Sequence, residues 1–396
     1  MRILFLSRWF PYPPDNGSKI RIYNIIKQLA QQHEVALVTF AESTDPVTTE
    51  TVAHLRQYCT DVRVSPYRPF QPMSSRALLG LLASKPRYLV DIHSDELRSA
   101  VADELRRRET DLIVASQFAM IPYVLGLQDT PAVLEELELA RFVPAPAGSR
   151  SPLQRLRSHL MWLKFSHYVR HALSRFAACT VASEHEQAHL WRIAPEYTRV
   201  EVVPNAVDVP HYAGEFGPAR PNTLVFSGAL TYDANYDALD YFLRDVQPAI
   251  RQAVPDCLLR VTGSNTGVKL GALPHRDTVC FTGYVDDIRP VVAQSWVSVV
   301  PLRLGGGTRL KILEAMALGT PVVSTTKGAE GLDVADGENI LLADTPQDFA
   351  AKVILLLRSP ELRERLAHNG RKLVAARYDW RTVGQQLCAI AERAAA

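Results

Sequence analysis

Two positive charges stand at the predicted start of a helix. Arg309 and Lys311 follow a glycine run at 305–307. The apolar periodicity predicts a helix over 309–318, with Thr308 as its N-cap residue. Because the first turn is the positive end of the helix dipole, stability alone favours Asp or Glu there. Two cations beside exposed backbone N–H groups therefore indicate an anion site, and a phosphate or diphosphate fits it.

A carboxylate lies one turn deeper in the same predicted helix. Glu314 can accept hydrogen bonds from hydroxyls such as a ribose diol. Gly319, with Pro321 beyond it, predicts the end of the helix. A glycine-rich turn alone is more typical of a flexible loop with solvated charges. With the cap residue, the two cations and the carboxylate in register, we favour a ligand site.

Short apolar runs alternate with longer amphipathic stretches, as in βα units around parallel sheets. Helices are predicted between the strands, for example over 19–31, 96–109 and 153–176. The predicted strands are 3–7, 34–40, 61–65, 112–115, 132–135, 178–182 and 200–203, followed by 223–226, 258–262, 279–282, 297–301, 321–325 and 340–343.

Two proline-rich stretches, 204–210 and 217–221, divide this series of strands. We therefore predict an α/β protein with two Rossmann-like, doubly wound domains that face a central cleft. The first domain covers 1–203, with a C-terminal helix over 379–396 that packs back on it. The second domain covers 204–378.

The composition excludes several classes of protein. The 396 residues hold 44 Lys plus Arg against 42 Asp plus Glu, a net charge of +2, so bulk charge does not point to nucleic acid. The five cysteines include no C-x-x-C pair, which excludes a disulfide framework and a zinc ribbon and favours a cytoplasmic protein. No apolar run approaches the roughly 18 residues of a spanning helix, and the N-terminal run is too short for a signal peptide.

The predicted helix and its flanks resemble a known family. Residues 307–323, GTRLKILEAMALGTPVV, are similar to the donor-binding segment of the retaining GT-B glycosyltransferases of glycosyltransferase family four, "glycosyl transferases group 1". Supporting similarities lie at 13–18, 202–208, 281–287 and 333–344. They extend over nearly the whole chain and are strongest in its second half.

The resemblance implies a GT-B enzyme of polysaccharide biosynthesis that moves a sugar from a nucleotide-diphosphate-sugar donor to a glycan, lipid-linked or small-molecule acceptor, with retention of configuration. No metal ion and no other cofactor is expected, because Arg309 and Lys311, assigned as catalytic, stabilise the leaving diphosphate. The implied donor-binding residues are Gly17, Gly228, Gly283, Tyr284, Val285, Gly306, Gly307, Thr308, Arg309, Lys311 and Glu314. The implied acceptor-binding residues are Asn16, Ser116, Gln117 and Glu138.

Three positions depart from the family pattern. Gly306 stands at the first glutamate of the E-x7-E motif, of which Glu314 is the second. Residues 228–230 read Gly-Ala-Leu where the family has Gly-Arg-Leu, and we expect the cations of the helix start to replace that arginine. Residues 116–117, Ser-Gln, replace a His or Glu. Two alternatives therefore stay open, a catalytically silent subunit that binds nucleotide sugar or glycan, and a nucleotide-sugar epimerase.

Residues 185–189, His-Glu-Gln-Ala-His, match the H-E-x-x-H signature of zinc proteases. Arg192 and Pro195 stand where the extended motif has Gly and a third His. A metalloprotease is therefore a minor alternative.

Residues 150–176 carry six basic residues, no acidic one, and several aromatic side chains. Such a helix can lie on an anionic membrane surface, which suits a lipid-linked acceptor at the inner face of the membrane. It can equally be a domain helix that packs on a sheet. Glu135, Glu136 and Glu138 follow a predicted strand and either contact acceptor hydroxyls or line a solvated turn.

Overall fold

The computed structural model describes the chain apart from residues 44–46, 136–138, 140–150 and 306–308. The described residues form two compact units. The first contains Met1–Pro204 and Val383–Ala396, and the second contains Asn205–Thr382.

The first unit is built on a parallel sheet, with seven strands among its described residues. Their spatial order is β3-β2-β1-β4-β5-β6-β7, so the chain starts inside the sheet and builds it outwards in both directions. The strands are β1 Arg2–Ser7, β2 Glu34–Ala41, β3 Cys59–Pro66, β4 Leu112–Ser116, β5 Ala132–Glu135, β6 Ala178–Val181 and β7 Val200–Val202. The helices are α1 Gly17–Leu29, α2 Thr49–Leu55, α3 Ser75–Leu79, α4 Arg87–Asp91, α5 Asp95–Arg107, α6 Pro152–Leu173 and α7 Glu184–Ile193, with a short 3-10 turn at Phe118–Tyr123.

Helices cover this sheet, and the sequence pattern follows from that. In β1, every residue after Arg2 is buried, so the strand is a continuous apolar run rather than an alternating one. Helix α1 turns Ile22, Ile25, Ile26 and Leu29 into the core, at the spacing of one helix face.

The second unit repeats the same winding with six described strands, in the order β10-β9-β8-β11-β12-β13. They are β8 Arg220–Ser227, β9 Leu258–Thr262, β10 Val279–Gly283, β11 Ser295–Val300, β12 Val322–Ser324 and β13 Leu341–Leu342. Its helices are α8 Asp233–Tyr241, which continues through a π-helical turn Phe242–Val246 into α9 Gln247–Ala253, then α10 Arg289–Ala293, α11 Leu310–Leu318, α12 Pro346–Arg358 and α13 Pro360–Arg377. Short 3-10 turns lie at Val209–Tyr212, Leu270–Ala272 and Arg276–Thr278.

The last helix, α14 Trp380–Ala395, belongs to the first unit after its first turn. The Gln386 side-chain amide donates to the carbonyl of Val202 in β7 over 2.9 Å. A Cβ at Gly384 would lie 2.5 Å from the side chain of Gln28 in α1. The helix therefore packs closely on α1 and β7 of the first unit.

The two sheets confirm the predicted fold class of two Rossmann-like, doubly wound units. Each predicted strand has a counterpart whose ends lie within three residues of the prediction. The short helices α3 and α4 have no predicted counterpart. Pro69, Pro72 and Pro86 interrupt that stretch, and its periodicity is too short to indicate a helix.

Candidate functional site

Three glycines end three neighbouring strands at the carboxyl edge of the second sheet. Gly228 follows β8, Gly263 follows β9, and Gly283 is the last residue of β10. The N–H of Gly263 donates to the carbonyl of Gly283 over 2.9 Å, and a Cβ at Gly263 would lie 2.5 Å from the carbonyl carbon of Gly228. A side chain at Gly263 therefore does not fit. The strand ends therefore present bare backbone at the edge where doubly wound sheets bind ligands.

Lys311 brings its ammonium group to the first of these turns. Its Nζ donates to Oδ1 of Asn235 over 2.9 Å and lies 5.2 Å from the ring centre of Phe226. A Cβ at Gly228 would lie 2.6 Å from this Nζ. Asn235 is held in turn, because its Nδ2 donates to the carbonyl of Ala229 over 2.8 Å. Strand β8 and helices α8 and α11 thus position one lysine together.

Helix α11 begins one residue later than predicted. Leu310 is its first helical residue, and Arg309 is the N-cap residue, with φ −87° and ψ 74°. Thr308, the predicted N-cap residue, lies outside the described residues together with Gly306 and Gly307. Because arginine carries only donors, the Arg309 side chain cannot accept from the N–H groups of the first turn. The N–H groups of the first turn are therefore not capped by the Arg309 side chain. They lie at the same end of the helix as the Lys311 cation.

Arg309 is 7% exposed and folds back over its own loop. Its Nη2 donates to the carbonyl of Gly305 over 2.9 Å. Burial lowers the pKa of the guanidinium, and the nearby Tyr232 and Glu330 oppose that shift. The two predicted cations therefore lie together at the start of α11, both partly withdrawn from water.

The charge on Lys311 is costly in this environment. Burial, together with repulsion from Arg309, lowers the pKa of Lys311 to about 7, although the Glu314 carboxylate opposes the shift. An anion placed beside the ammonium would remove this cost, because opposite charges favour the protonated form. A negatively charged ligand at this position would therefore be stabilised by the Lys311 charge.

Glu314 lies one turn further into α11. Its Oε1 accepts from the Tyr212 hydroxyl over 2.9 Å, and Tyr212 ends the 3-10 turn that follows β7. Burial raises the pKa of Glu314, while Tyr212 and the Lys311 charge oppose the rise. One carboxylate oxygen is thus fixed by the tyrosine, and the other can accept from a ligand hydroxyl.

Gly283, Tyr284 and Val285 are three of the donor-binding residues that the resemblance implies. Gly283 has a φ of 69° and joins the glycine edge described above. Tyr284 is 72% exposed, so its ring can stack against a planar group. Val285 is half-buried against the core of the second unit. These three residues continue the edge away from Lys311.

Asn16 and Gly17 lie after β1 in the first unit. Oδ1 of Asn16 accepts from the N–H of Lys19 over 3.1 Å, so the Asn16 side chain caps α1, and Gly17 is the first helical residue. Both residues are exposed.

A buried ion pair occupies the carboxyl edge of the first sheet. Nε of Arg21 lies 2.7 Å from Oε1 of Glu135, and both side chains are fully buried. The Ser116 hydroxyl donates to Oε2 of Glu135 over 2.7 Å, and the N–H of Gln117 donates to the Glu135 carbonyl over 2.8 Å. Arg21 also donates to the carbonyl of Val203 over 3.0 Å. The end of β4 and the residue after it are therefore held by Glu135 of β5, through its carboxylate and its backbone carbonyl.

The prediction that Glu135 contacts acceptor hydroxyls or lines a solvated turn is wrong, because the carboxylate is buried against Arg21. The Ser116 hydroxyl donates to the same carboxylate. Gln117, the next residue, has a φ of 74°. Glu136 and Glu138 lie outside the described residues.

The H-E-x-x-H sequence forms part of α7. Nε2 of His185 and Nε2 of His189 lie 3.0 Å apart on the exposed side of the helix. Glu186 is buried, and its Oε2 accepts from the N–H of Leu139 over 2.7 Å. The Glu186 carboxylate therefore fixes the backbone at Leu139. In the part of the chain that the structure describes, no three potential metal-ligating side chains of His, Cys, Asp or Glu meet.

Sequence reasoning did not anticipate Asn235, Tyr212 or Arg21. Asn235 and Lys311 are 76 residues apart, and Tyr212 and Glu314 are 102 apart, so no local pattern links them. Arg21 did carry a signal. It stands four residues before Ile25, on the apolar face of α1, where a cation needs a buried partner.

Residues 221–359 match the family "Glycosyl transferases group 1". The match includes the Gly228 turn, Asn235, Lys311 and Glu314. It confirms the predicted resemblance at the level of group 1, and the finer assignment to family four stays a prediction.

Curated relatives match parts of the chain. A phosphatidyl-myo-inositol mannosyltransferase of Mycobacterium leprae is 29% identical over 223 residues, which cover 52% of this chain and 57% of that protein. A glycogen synthase of Mycobacterium tuberculosis is 25% identical over 286 residues, 66% of each chain. The chain spans about half the length of the mannosyltransferase and 46% of a putative glycosyltransferase of Bacillus subtilis.

Solved structures match the chain almost end to end. Sucrose-phosphate synthase of Thermosynechococcus elongatus has a TM-score of 0.69 at 18% identity, covering 99% of both chains. The Anabaena protein HepE, crystallised in complex with UDP, has a TM-score of 0.66 at 18% identity, covering 98% of this chain and 99% of that one. At these identities the likeness shows the fold, which is the GT-B fold.

Proposed function

We propose that this chain, whose residues 221–359 match the group 1 glycosyltransferases and which has the GT-B fold, transfers a sugar from a nucleotide-diphosphate-sugar donor to a glycan, lipid-linked or small-molecule acceptor. The observation that carries the proposal is the contact of Lys311 with the Gly228 turn. There a partly buried ammonium is hydrogen-bonded to the neutral amide of Asn235. Burying a cation costs free energy unless an anion pairs with it, so an anionic ligand completes the site.

The donor is placed by the same residues. Its diphosphate binds at the start of α11, beside Lys311 and Arg309. Glu314 binds the ribose through the carboxylate oxygen that Tyr212 leaves available, and this assignment is supported by the 2.9 Å bond that fixes the other oxygen. The base lies along residues 283–285, where Tyr284 offers an exposed ring.

Transfer breaks the bond between the anomeric carbon and a phosphate oxygen, so negative charge builds on the departing nucleoside diphosphate. Lys311, Arg309 and the N–H groups of the first turn of α11 stabilise that charge from fixed positions. We expect retention of configuration, with the acceptor attacking the face that the diphosphate leaves and the phosphate taking the acceptor proton. This route requires neither a protein nucleophile nor a divalent metal.

The test is a panel of nucleotide sugars added to the purified protein. The true donor raises the melting temperature by mass action, and the protein then releases nucleoside diphosphate slowly without acceptor. Neither effect should change when a chelator is added. Tight binding without release would favour the silent subunit instead. Conversion of one nucleotide sugar into its epimer would identify an epimerase.

Gly228→Ala is expected to weaken donor binding by about tenfold or more, since the new Cβ displaces the Lys311 ammonium and the Asn235 amide from the diphosphate position. The backbone at Gly228 has a φ of 146°, so about 1–3 kcal/mol of unfolding free energy is also lost. Gly267→Ala is the control, because Gly267 has a φ of 77° but nothing within 4 Å of the added Cβ. The control should lose some stability and keep donor affinity. Equal donor affinity in both variants would contradict the placement.

Donor binding is expected to take up a proton. At pH 8 a lysine with a pKa of about 7 is mostly neutral in the free protein, and the diphosphate restores its proton. Titration calorimetry in HEPES and in Tris, which differ in ionisation enthalpy, should show uptake of nearly one proton at pH 8. Lys311→Arg keeps the charge and should abolish the uptake. An unchanged uptake in that variant would assign the proton to another group.

A further inference from the structure

The first unit exposes an apolar surface that sugar transfer does not explain. Among the residues that the structure describes, fifteen large apolar side chains are exposed, and nine of them lie within 73–82 and 156–163. We call these two segments the leucine surface. Leu82 is 92% exposed, Met73 81% and Leu79 66%. Such a concentration of apolar side chains in water is typical of a docking surface.

Lys164 joins the two segments into one face. It extends from α6, and its Nζ donates to the carbonyls of Gly80 and Leu81, over 2.7 and 3.2 Å. The stretch that follows α3 is therefore held against the middle of α6.

The two halves of helix α6 differ in the burial of their apolar side chains. Its C-terminal half buries Phe165, Val169 and Leu173 in the core of the first unit. Its N-terminal half exposes Leu156 and Leu160 instead. Packing on the sheet therefore accounts for the second half of the helix and leaves the first half unexplained.

The charges within the two stretches of chain that carry the leucine surface are almost all positive. Residues 62–90 and 151–175 contain arginines and lysines and no Asp or Glu. Asp91 packs behind the first segment, but it is fully buried and accepts from the N–H of Gln71 and the hydroxyl of Ser74. A second copy of this chain docked face to face would bring like charges together. An anionic partner with an apolar interior matches both properties.

We propose that the leucine surface docks the first unit on a bilayer that contains anionic phospholipids. The leucines enter the boundary between headgroups and acyl chains, and the surrounding cations lie against the headgroups. None of the described helices combines the length and apolar composition needed to cross a bilayer. The surface lies wholly in the first unit, whereas Lys311 and Glu314 lie in the second, so docking and donor binding can be tested separately.

The experiment is co-sedimentation of the whole chain with vesicles of phosphatidylcholine alone or with phosphatidylglycerol added. The protein should sediment with the anionic vesicles, and added salt should weaken the binding. The double variant Leu79→Ser, Leu82→Ser should lower the partition coefficient by about tenfold or more. The matched control is Leu258→Ser, Leu355→Ser, which changes two exposed leucines of the second unit and should bind like the unchanged protein.

Three outcomes would overturn the proposal. They are no sedimentation with anionic vesicles, an equal loss in the control variant, and self-association that the Leu79, Leu82 variant abolishes, which would assign the surface to a second copy. Melting-temperature shifts with the donor, measured without vesicles, should be the same in both variants. A loss of that shift would bear on the donor site and not on the leucine surface.

Discussion

Replacing Lys311 by methionine is expected to lower kcat/KM for sugar transfer by about 10²–10³-fold, the effect of removing one fixed group that stabilises developing negative charge. Methionine keeps much of the apolar stem but brings no cation to the Gly228 turn. The loss should fall on kcat as well as on KM, because the charge on the diphosphate grows as its bond to the sugar breaks. Steady-state kinetics with the donor found by the panel measures both constants.

The fold of the Lys311→Met variant is expected to survive. In the unchanged protein the pKa of Lys311 is lowered to about 7, so between pH 7 and the ordinary lysine pKa the unfolded chain binds one proton more than the folded one. The unfolding free energy of the unchanged protein should therefore rise with pH in that window, and the variant should lack this contribution. Lys269→Met, at an exposed position of the second unit, is the kinetic control. Equal turnover in the two variants would remove Lys311 from the mechanism.

Arg21→Met is expected to cost about 3–5 kcal/mol of unfolding free energy, because it leaves the Glu135 carboxylate buried without its cation. In the folded chain the two charges lie 2.7 Å apart and neither side chain is exposed. Ser116 would then provide the remaining described side-chain hydrogen bond to that carboxylate. Urea unfolding, followed by a signal from the first unit, gives the free energy.

A double variant tests whether the cost comes from the Glu135 charge that Arg21→Met leaves buried. Arg21→Met with Glu135→Leu should be more stable than Arg21→Met alone, because no uncompensated charge stays buried. Arg393→Met is the control. Arg393 pairs with Glu201 over 2.6 Å, but the two side chains are 59% and 39% exposed, so its loss should cost about 1 kcal/mol or less. An Arg21 variant as stable as this control would mean that the buried pair contributes little.

Much of the fold follows from local pattern. The strands are short apolar runs, and parallel strands covered by helices need to be apolar throughout, so their positions can be predicted to within a few residues. Strand order follows less directly. It depends on the hand and length of the crossovers, and the alternation of strands and helices predicts only that the sheets are doubly wound.

The candidate site also contains residues that the local sequence pattern predicts and residues that it does not. Lys311 and Glu314 can be predicted because a cation in the first turn of a helix is unusual and marks a local departure from helix stability. Asn235 and Tyr212 cannot, because they lie 76 and 102 residues away from their partners in α11 and only the tertiary fold brings them there. The start of α11 was misplaced by one residue for a related reason. Thr308 has the higher intrinsic preference for the cap position, but the chain places Arg309 there.

The last helix has a consequence for the order in which the protein is made. Residues 383–396 contribute buried side chains to the first unit, among them Val383, Leu387 and Ile390. A ribosome synthesises every strand of both sheets before it reaches these residues. The amino-terminal half of the nascent polypeptide therefore waits, with the α1 surface that receives Gly384 still uncovered, while the other half emerges from the exit tunnel. The first unit is therefore translated first, but its packing is completed only after the second unit has been synthesised.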